Sequence, residues 1–338
     1  MQPADRAGLR IALAFAMALT LAEASDIEVS FIAPLAAVTL AAAPAPAAMI
    51  LVLPLLVGLL AVFAALAAEG LAGLPIILAL LLFGVFLLGF IASAKPRTAA
   101  LGLFALVIFA VLPDVLVRYP DATTDIILWT MRDLAIAAGS ALLAGWIIGG
   151  PPAALERHAQ AQPLPPGLSA AVLLLAVLVV WATEPKAAAP ILFSVIITLR
   201  SDGEPPDQII RDRFLGAGLG GFTALLATSI GALAQSLPVL FAASLACAYP
   251  LALRAARGGR WGGMAMKGLK AMAILTGQGL SMIYDDTADQ SLTRFGGVLI
   301  GLGFVALALL ILGGEALRNP SRRLTGPARP LPERPAGA

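Results

Sequence analysis

Ala47-Ala-Met-Ile-Leu-Val-Leu-Pro-Leu-Leu-Val-Gly-Leu-Leu-Ala-Val-Phe-Ala-Ala-Leu-Ala-Ala68 decides the fold class. It holds no charged residue. A helix of this length rises about 33 Å, enough to cross the roughly 30 Å hydrocarbon core of a bilayer. An unpaired backbone amide in hydrocarbon costs several kcal/mol, so a spanning run has to be helical.

Runs of the same kind recur from end to end. They cover 7–22, 29–43, 47–68, 74–92, 98–117, 128–148, 168–183, 187–199, 213–235, 237–254, 264–283 and 292–313. Turn signals part them, such as Ala43-Pro44-Ala45-Pro46, Lys95-Pro96-Arg97 and Glu184-Pro185-Lys186. Only 12% of the 338 residues are charged and 60% are hydrophobic. A water-soluble chain of this length needs a charged surface that these residues cannot supply. The expected class is an all-α integral membrane protein of about twelve transmembrane helices.

Basic residues set the expected orientation. With the N-terminus in the cytoplasm, only Arg118, Arg132, Lys186 and Arg294 of the 22 Lys and Arg fall outside. The acids lean the other way, with Glu23, Asp26, Glu28, Glu69, Asp114, Asp121, Asp125, Asp133, Glu184, Asp285, Asp286 and Asp289 outside. The layout is multi-pass with both termini cytoplasmic. A competing reading takes Arg6, Arg10, the apolar run 11–22 and Ala22-Glu23-Ala24 as a cleavable leader. Losing it leaves eleven spans and breaks the match between halves.

Gly149-Gly150-Pro151-Pro152 and the polar, Pro-rich residues to 167 read as a cytoplasmic linker. It divides a first half, 1–148, from a second, 168–314. A disordered cytoplasmic tail, 315–338, follows. Six spans per half make two parallel repeats, related by an axis along the membrane normal. Phe31-Ile-Ala-Pro-Leu-Ala-Ala-Val-Thr-Leu40 lines up with Pro190-Ile-Leu-Phe-Ser-Val-Ile-Ile-Thr-Leu199. Arg132 opens the sixth span after an acidic outer loop, and Arg294 opens the twelfth after another. Gly139 and Gly301 follow at equal distance.

Chemistry narrows quickly. One cysteine, Cys247, and one histidine, His158, rule out disulfides and His- or Cys-based metal sites. There is no phosphate-binding loop motif, so the chain is not itself an ATPase. Gly216-Ala-Gly218-Leu-Gly220-Gly221 mimics a dinucleotide fingerprint, but no strand precedes it. Gly216 and Gly220 read as a close helix-packing face. No cofactor, metal, nucleic-acid partner or enzymatic activity is expected.

The second and eighth spans are short, and Pro34 and Pro190 stand in them. Short, Pro-interrupted segments at matching positions of two halves point to a solute site near the midplane. Pro34, Thr39, Ser194 and Thr198 are the candidates there. The ordinary alternative is that the hydroxyls bond their own i−4 carbonyls. Arg132 and Arg294 can hold a carboxylate through two parallel hydrogen bonds, or simply reach the interface. Asp133, beside Arg132, is the candidate proton carrier. Lys267 and Lys270 share one face of the eleventh span, as anchors or as attractors of an anion. Gln278 and Tyr284 fit ordinary interhelical bonding.

Three stretches resemble the fusaric acid resistance and aromatic acid exporter superfamily of bacterial membrane proteins. They are Arg6-Ala-Gly-Leu-Arg10-Ile-Ala-Leu-Ala with Phe31-Ile-Ala-Pro-Leu-Ala-Ala-Val-Thr, Arg211-Asp-Arg-Phe-Leu-Gly216-Ala-Gly-Leu-Gly-Gly, and Arg294-Phe-Gly-Gly-Val-Leu-Ile-Gly301. The resemblance implies an inner-membrane efflux component for aromatic acids or similar compounds. Such components often work with a periplasmic adaptor of the membrane-fusion type. Larger relatives carry a sizeable cytoplasmic domain that this chain lacks, and the substrate does not carry over.

The expected function is proton-driven export of small aromatic or anionic compounds from the bacterial inner membrane, by one chain or a homo-oligomer. A scaffold that only recruits an adaptor is the alternative. A reporter fused after Pro330 is expected to read out as cytoplasmic. A periplasmic readout would overturn the layout.

Overall fold

Proline and glycine punctuate the helices. The computed structural model describes residues 2–25, 31–42, 46–71, 73–95, 98–118, 123–149, 164–185, 187–200, 206–234, 236–277 and 287–318. Most of the expected linker, the tail beyond 318, and Asp26, Glu28, Asp121, His158, Gln278, Tyr284, Asp285 and Asp286 lie outside them. So do the side chains of Asp114, Asp289 and Arg294.

The described residues form twelve helices and no strand. They are α1 (Pro3–Ala24), α2 (Ile32–Ala42), α3 (Ala47–Leu71), α4 (Pro75–Ser93), α5 (Ala99–Arg118) and α6 (Thr123–Ile148). Then come α7 (Pro166–Thr183), α8 (Ala188–Leu199), α9 (Pro206–Ala234), α10 (Leu237–Arg257), α11 (Gly259–Gly277) and α12 (Thr287–Arg318). Pro3, Pro75, Pro166 and Pro206 open their helices, where a missing N–H costs nothing. α11 starts earlier than the apolar pattern suggests. Gly258 and Gly259, at φ 69° and 72°, let the chain turn directly from α10 into it.

Eight of these helices are long and apolar enough to cross a membrane: α1, α3, α4, α6, α7, α9, α10 and α12. The apolar part of α5 is shorter, and so are α2 and α8. α11 is long enough but carries Arg260, Lys267 and Lys270. The chain is therefore an all-helical, multi-pass membrane protein. Its outer surface agrees. Leu55, Leu59 and Leu66 of α3 are 58%, 60% and 62% exposed, and Leu80, Phe222 and Leu310 carry the apolar skin onto α4, α9 and α12. A skin of that extent suits lipid and not water.

α2 and α8 lie inside this shell. Every residue from Pro190 to Leu199 is buried, as are most of α2. A helix apolar all round belongs in an interior. Phe31, just before α2, packs edge-to-face on Phe193 in the middle of α8, ring centroids 5.0 Å apart. The interruption expected at Pro34 is absent: Pro34 sits in the first turn of a short, continuous helix, where no helical bond is lost. Pro190 has the same place in α8.

Helices α1, α6 and α11 surround α2, and α7, α12 and α5 surround α8. α4 packs on α5 as α10 packs on α11, and α3 on α6 as α9 on α12. Contacts also cross the halves: α1 lies along α10, and α4 along α7.

Glycines bring several of these pairs together. A Cβ on Gly220 of α9 would lie 2.2 Å from the Gly268 carbonyl oxygen of α11. A Cβ on Gly301 of α12 would lie 2.5 Å from the Ile191 carbonyl oxygen of α8. Gly139, by contrast, faces open space, so it is not the packing equivalent of Gly301. Gly220→Ala is expected to cost about 1–3 kcal/mol through backbone overpacking. Thermal unfolding in detergent checks this, with Gly218→Ala, which meets nothing within 4 Å, as the near-neutral control.

Candidate functional site

A short helix buried in a membrane protein leaves carbonyls at its end that no water reaches. Both short helices end on an arginine. Arg10 of α1, itself buried, donates from Nη2 to the Ala41 carbonyl at 2.8 Å. Arg213 of α9 donates from Nη2 to the Ile197 carbonyl. A guanidinium also suits the negative end of a helix dipole. These two roles are not visible in span patterns.

Both ends lie at one end of the bundle. The Asp5–Arg257 ion pair, 3.1 Å, joins the start of α1 to the end of α10 there. Arg200 donates to the Ala99 carbonyl at 3.1 Å, and Arg213 reaches α8 from the start of α9. The basic residues thus gather at the end that holds the start of α1.

Ser194, Ile197 and Thr198 of α8 face a small cavity of about 30 Å³. Arg213 and Ala217 of α9, Lys267, Lys270, Ala271 and Ile274 of α11, and Val298 and Leu302 of α12 complete its wall. Packing brings the cations here. Gly216 lies against Lys267 and Gly268, which sets α11 beside the start of α9. The glycine spacing in α9 and the Lys267/Lys270 face were both readable. Their convergence on Arg213 and the α8 hydroxyls was not.

The hydroxyl protons serve the protein itself. Ser194 donates to the Val298 carbonyl at 2.9 Å, and Thr198 to the Ser194 carbonyl at 2.6 Å. An anion in the cavity would therefore be held chiefly by the cations. Asp212, buried beside Arg213, is paired with Arg211 at 3.3 Å. In α2 the Thr39 hydroxyl bonds the Leu35 carbonyl at 2.9 Å.

The other candidates stand at the opposite end. Arg132 is exposed and donates to the Ser25 carbonyl, which ties the end of α1 to α6. Asp133 points inward and is 1% exposed. The Ala33 amide, in the first turn of α2, is placed to donate to it. Neither carboxylate oxygen has a further hydrogen-bond partner among the described residues. α2 thus has a carboxylate near its positive end and a guanidinium on its negative end. Arg294 lies on α12, with its side chain outside the described residues.

No group of three or more His, Cys, Asp or Glu among the described residues is placed to hold a metal. A second, wider groove, about 480 Å³, runs between α4 and α7. Pro75, Ile76, Ala79, Leu80, Phe83 and Leu174 line it, and nothing there would orient a polar solute. No protein family, characterised protein or solved structure matches this chain.

Arg10→Met is expected to cost roughly 1–3 kcal/mol, because the Ala41 carbonyl loses its partner in a buried place. Unfolding in detergent reads this, with Arg10→Lys losing less.

Proposed function

We propose that this chain is a secondary transporter that exports small organic anions across a bacterial inner membrane, driven by the proton gradient. One observation carries the reading. A small, partly open cavity of about 30 Å³ within the helix bundle is walled by Arg213, Lys267 and Lys270 together with two hydroxyl residues of a buried short helix. Cations around a polar cavity suit an anionic head, and ionisable residues facing a bundle interior mark solute paths. Asp133 is the proton carrier in this reading.

Two repeats of six helices, both facing the same way, fit the packing. The contacts of α1 to α6 recur, helix for helix, among α7 to α12. The contacts of α1 with α10 and of α4 with α7 cross the sequence halves. Alternating access is a rocking of one half against the other around α2 and α8. The basic end suits the cytoplasm by the positive-inside rule, with both termini there. The resemblance to the fusaric acid resistance and aromatic acid exporter superfamily points to aromatic carboxylates, with a periplasmic adaptor as partner.

A static scaffold that recruits such an adaptor is the second reading. The close α1–α10 seam favours it: a Cβ on Gly8 would lie 2.6 Å from the Leu253 Cα, and the Asp5–Arg257 pair adds to the hold. Proteoliposomes decide between the two. Wild type is expected to move benzoate down an imposed pH gradient. Lys267→Gln and Lys270→Gln are each expected to raise KM about tenfold, the effect of ~1.4 kcal/mol. Co-purification with an adaptor without any flux of organic anions would favour the scaffold.

A further inference from the structure

Buried polar groups in native proteins find partners, in the protein or in ordered water. The α6 face toward the interior presents two that the described residues leave short of partners. Asp133 and Ser140 are each 1% exposed; the Ser140 hydroxyl has no hydrogen-bond partner, and the Asp133 carboxylate has none beyond the nearby Ala33 amide. Seven residues apart is two helical turns, so they share one stripe, about 10.5 Å apart along the axis. Asp133 shows which way that stripe faces, since it interacts with Ala33 at the start of α2. Alanines fill the same buried face at Ala137, Ala141 and Ala144.

The stripe leads toward a third group. Arg10 lies beside Gly145: a Cβ there would be 3.9 Å from the Arg10 Cδ. Arg10 is 7% exposed, and its Nε has no hydrogen-bond partner among the described residues, although Nη2 is held by Ala41. From Asp133 to the level of Gly145 is about 18 Å along α6, more than half the hydrocarbon thickness. Unsatisfied groups thus run beside α2 from its start to its end.

We propose that the interface of α6 with α2 and α1 holds a file of water that carries protons between Asp133 and the basic end of the bundle. This rests on the proton-driven reading and adds the route. The Asp133 carboxyl takes up and releases the proton. The Ser140 hydroxyl hands it along, accepting from one water and donating to the next. Arg10 Nε–H orients the last water and keeps its own proton. The charged neighbours are few. Arg132 adjoins Asp133 on α6, and α1 contributes Arg10 and Glu23. The described residues of α2 carry no titratable group, and those of α3 carry only the exposed Glu69.

Two measurements test this on the full chain in lipid. X-ray hydroxyl-radical labelling, read by mass spectrometry, is expected to oxidise the α2 and α6 peptides holding Leu35 and Leu134 despite their burial, because internal water is the radical source. No oxidation there overturns the proposal. Ser140→Val is expected to lower both that labelling and pH-driven benzoate flux by about tenfold, while benzoate binding to the purified protein stays unchanged. Ser140→Thr keeps the hydroxyl and adds one methyl, so it covers a Val variant that does not fold; a partial loss of flux is expected. Full flux in both variants overturns the proposal. If wild type neither binds nor moves benzoate, the exporter reading fails by itself, and the labelling still decides whether the file exists.

Discussion

Lipid offers a backbone amide no hydrogen bond, and the rest of this structure answers to that fact. Long helices meet it along their length and fail only at their ends, which reach the interface. The short helices α2 and α8 fail inside, because about 18 Å of helix does not cross the hydrocarbon. Each ends on an arginine from another helix, Arg10 on Ala41 and Arg213 on Ile197. Charge in such a place needs a structural reason. For Arg10 the buried end of α2, with carbonyls that need a donor, supplies one, and the same guanidinium still has an unused Nε–H.

Lipid also removes the usual force between helices, since tails are as apolar as leucine. What remains is close packing and a few polar bonds. Gly216 and Gly220 against α11, Gly297 and Gly301 against α8, and Gly8 against α10 allow backbone approaches that a Cβ would block. The α9–α11 approach has a chemical result. It sets Lys267 and Lys270 across from Arg213, beside Ser194 and Thr198. Polar residues and packing are therefore coupled, and a change at Gly216 would move charges as well as helices.

The membrane class was legible because twenty-odd apolar residues have one solution in lipid. The shortness of α2 and α8 was legible too, as was the packing role of Gly216 and Gly220. The prolines misled. Pro34 looks like a break when read against a full span, but a helix that begins at Ile32 has no bond to lose there. The matched arginines also promised more than Arg132 delivers, since position along a chain says nothing about whether a long side chain turns inward. Asp133, one residue on, is the group that does turn inward.

By itself the sequence determined the solvent, the helical state and the places where spans are too short, because these follow from local length and polarity. It also determined which residues are small enough for backbones to touch. Only tertiary structure decided who meets whom: Arg10 with Ala41, Lys267 with Gly216, Asp133 with the start of α2, and α1 with α10 across the halves. Lipid-facing and buried apolar residues look alike in one dimension. Neighbours between helices are chosen by shape and by the few polar groups that must find a partner, and both depend on the whole bundle.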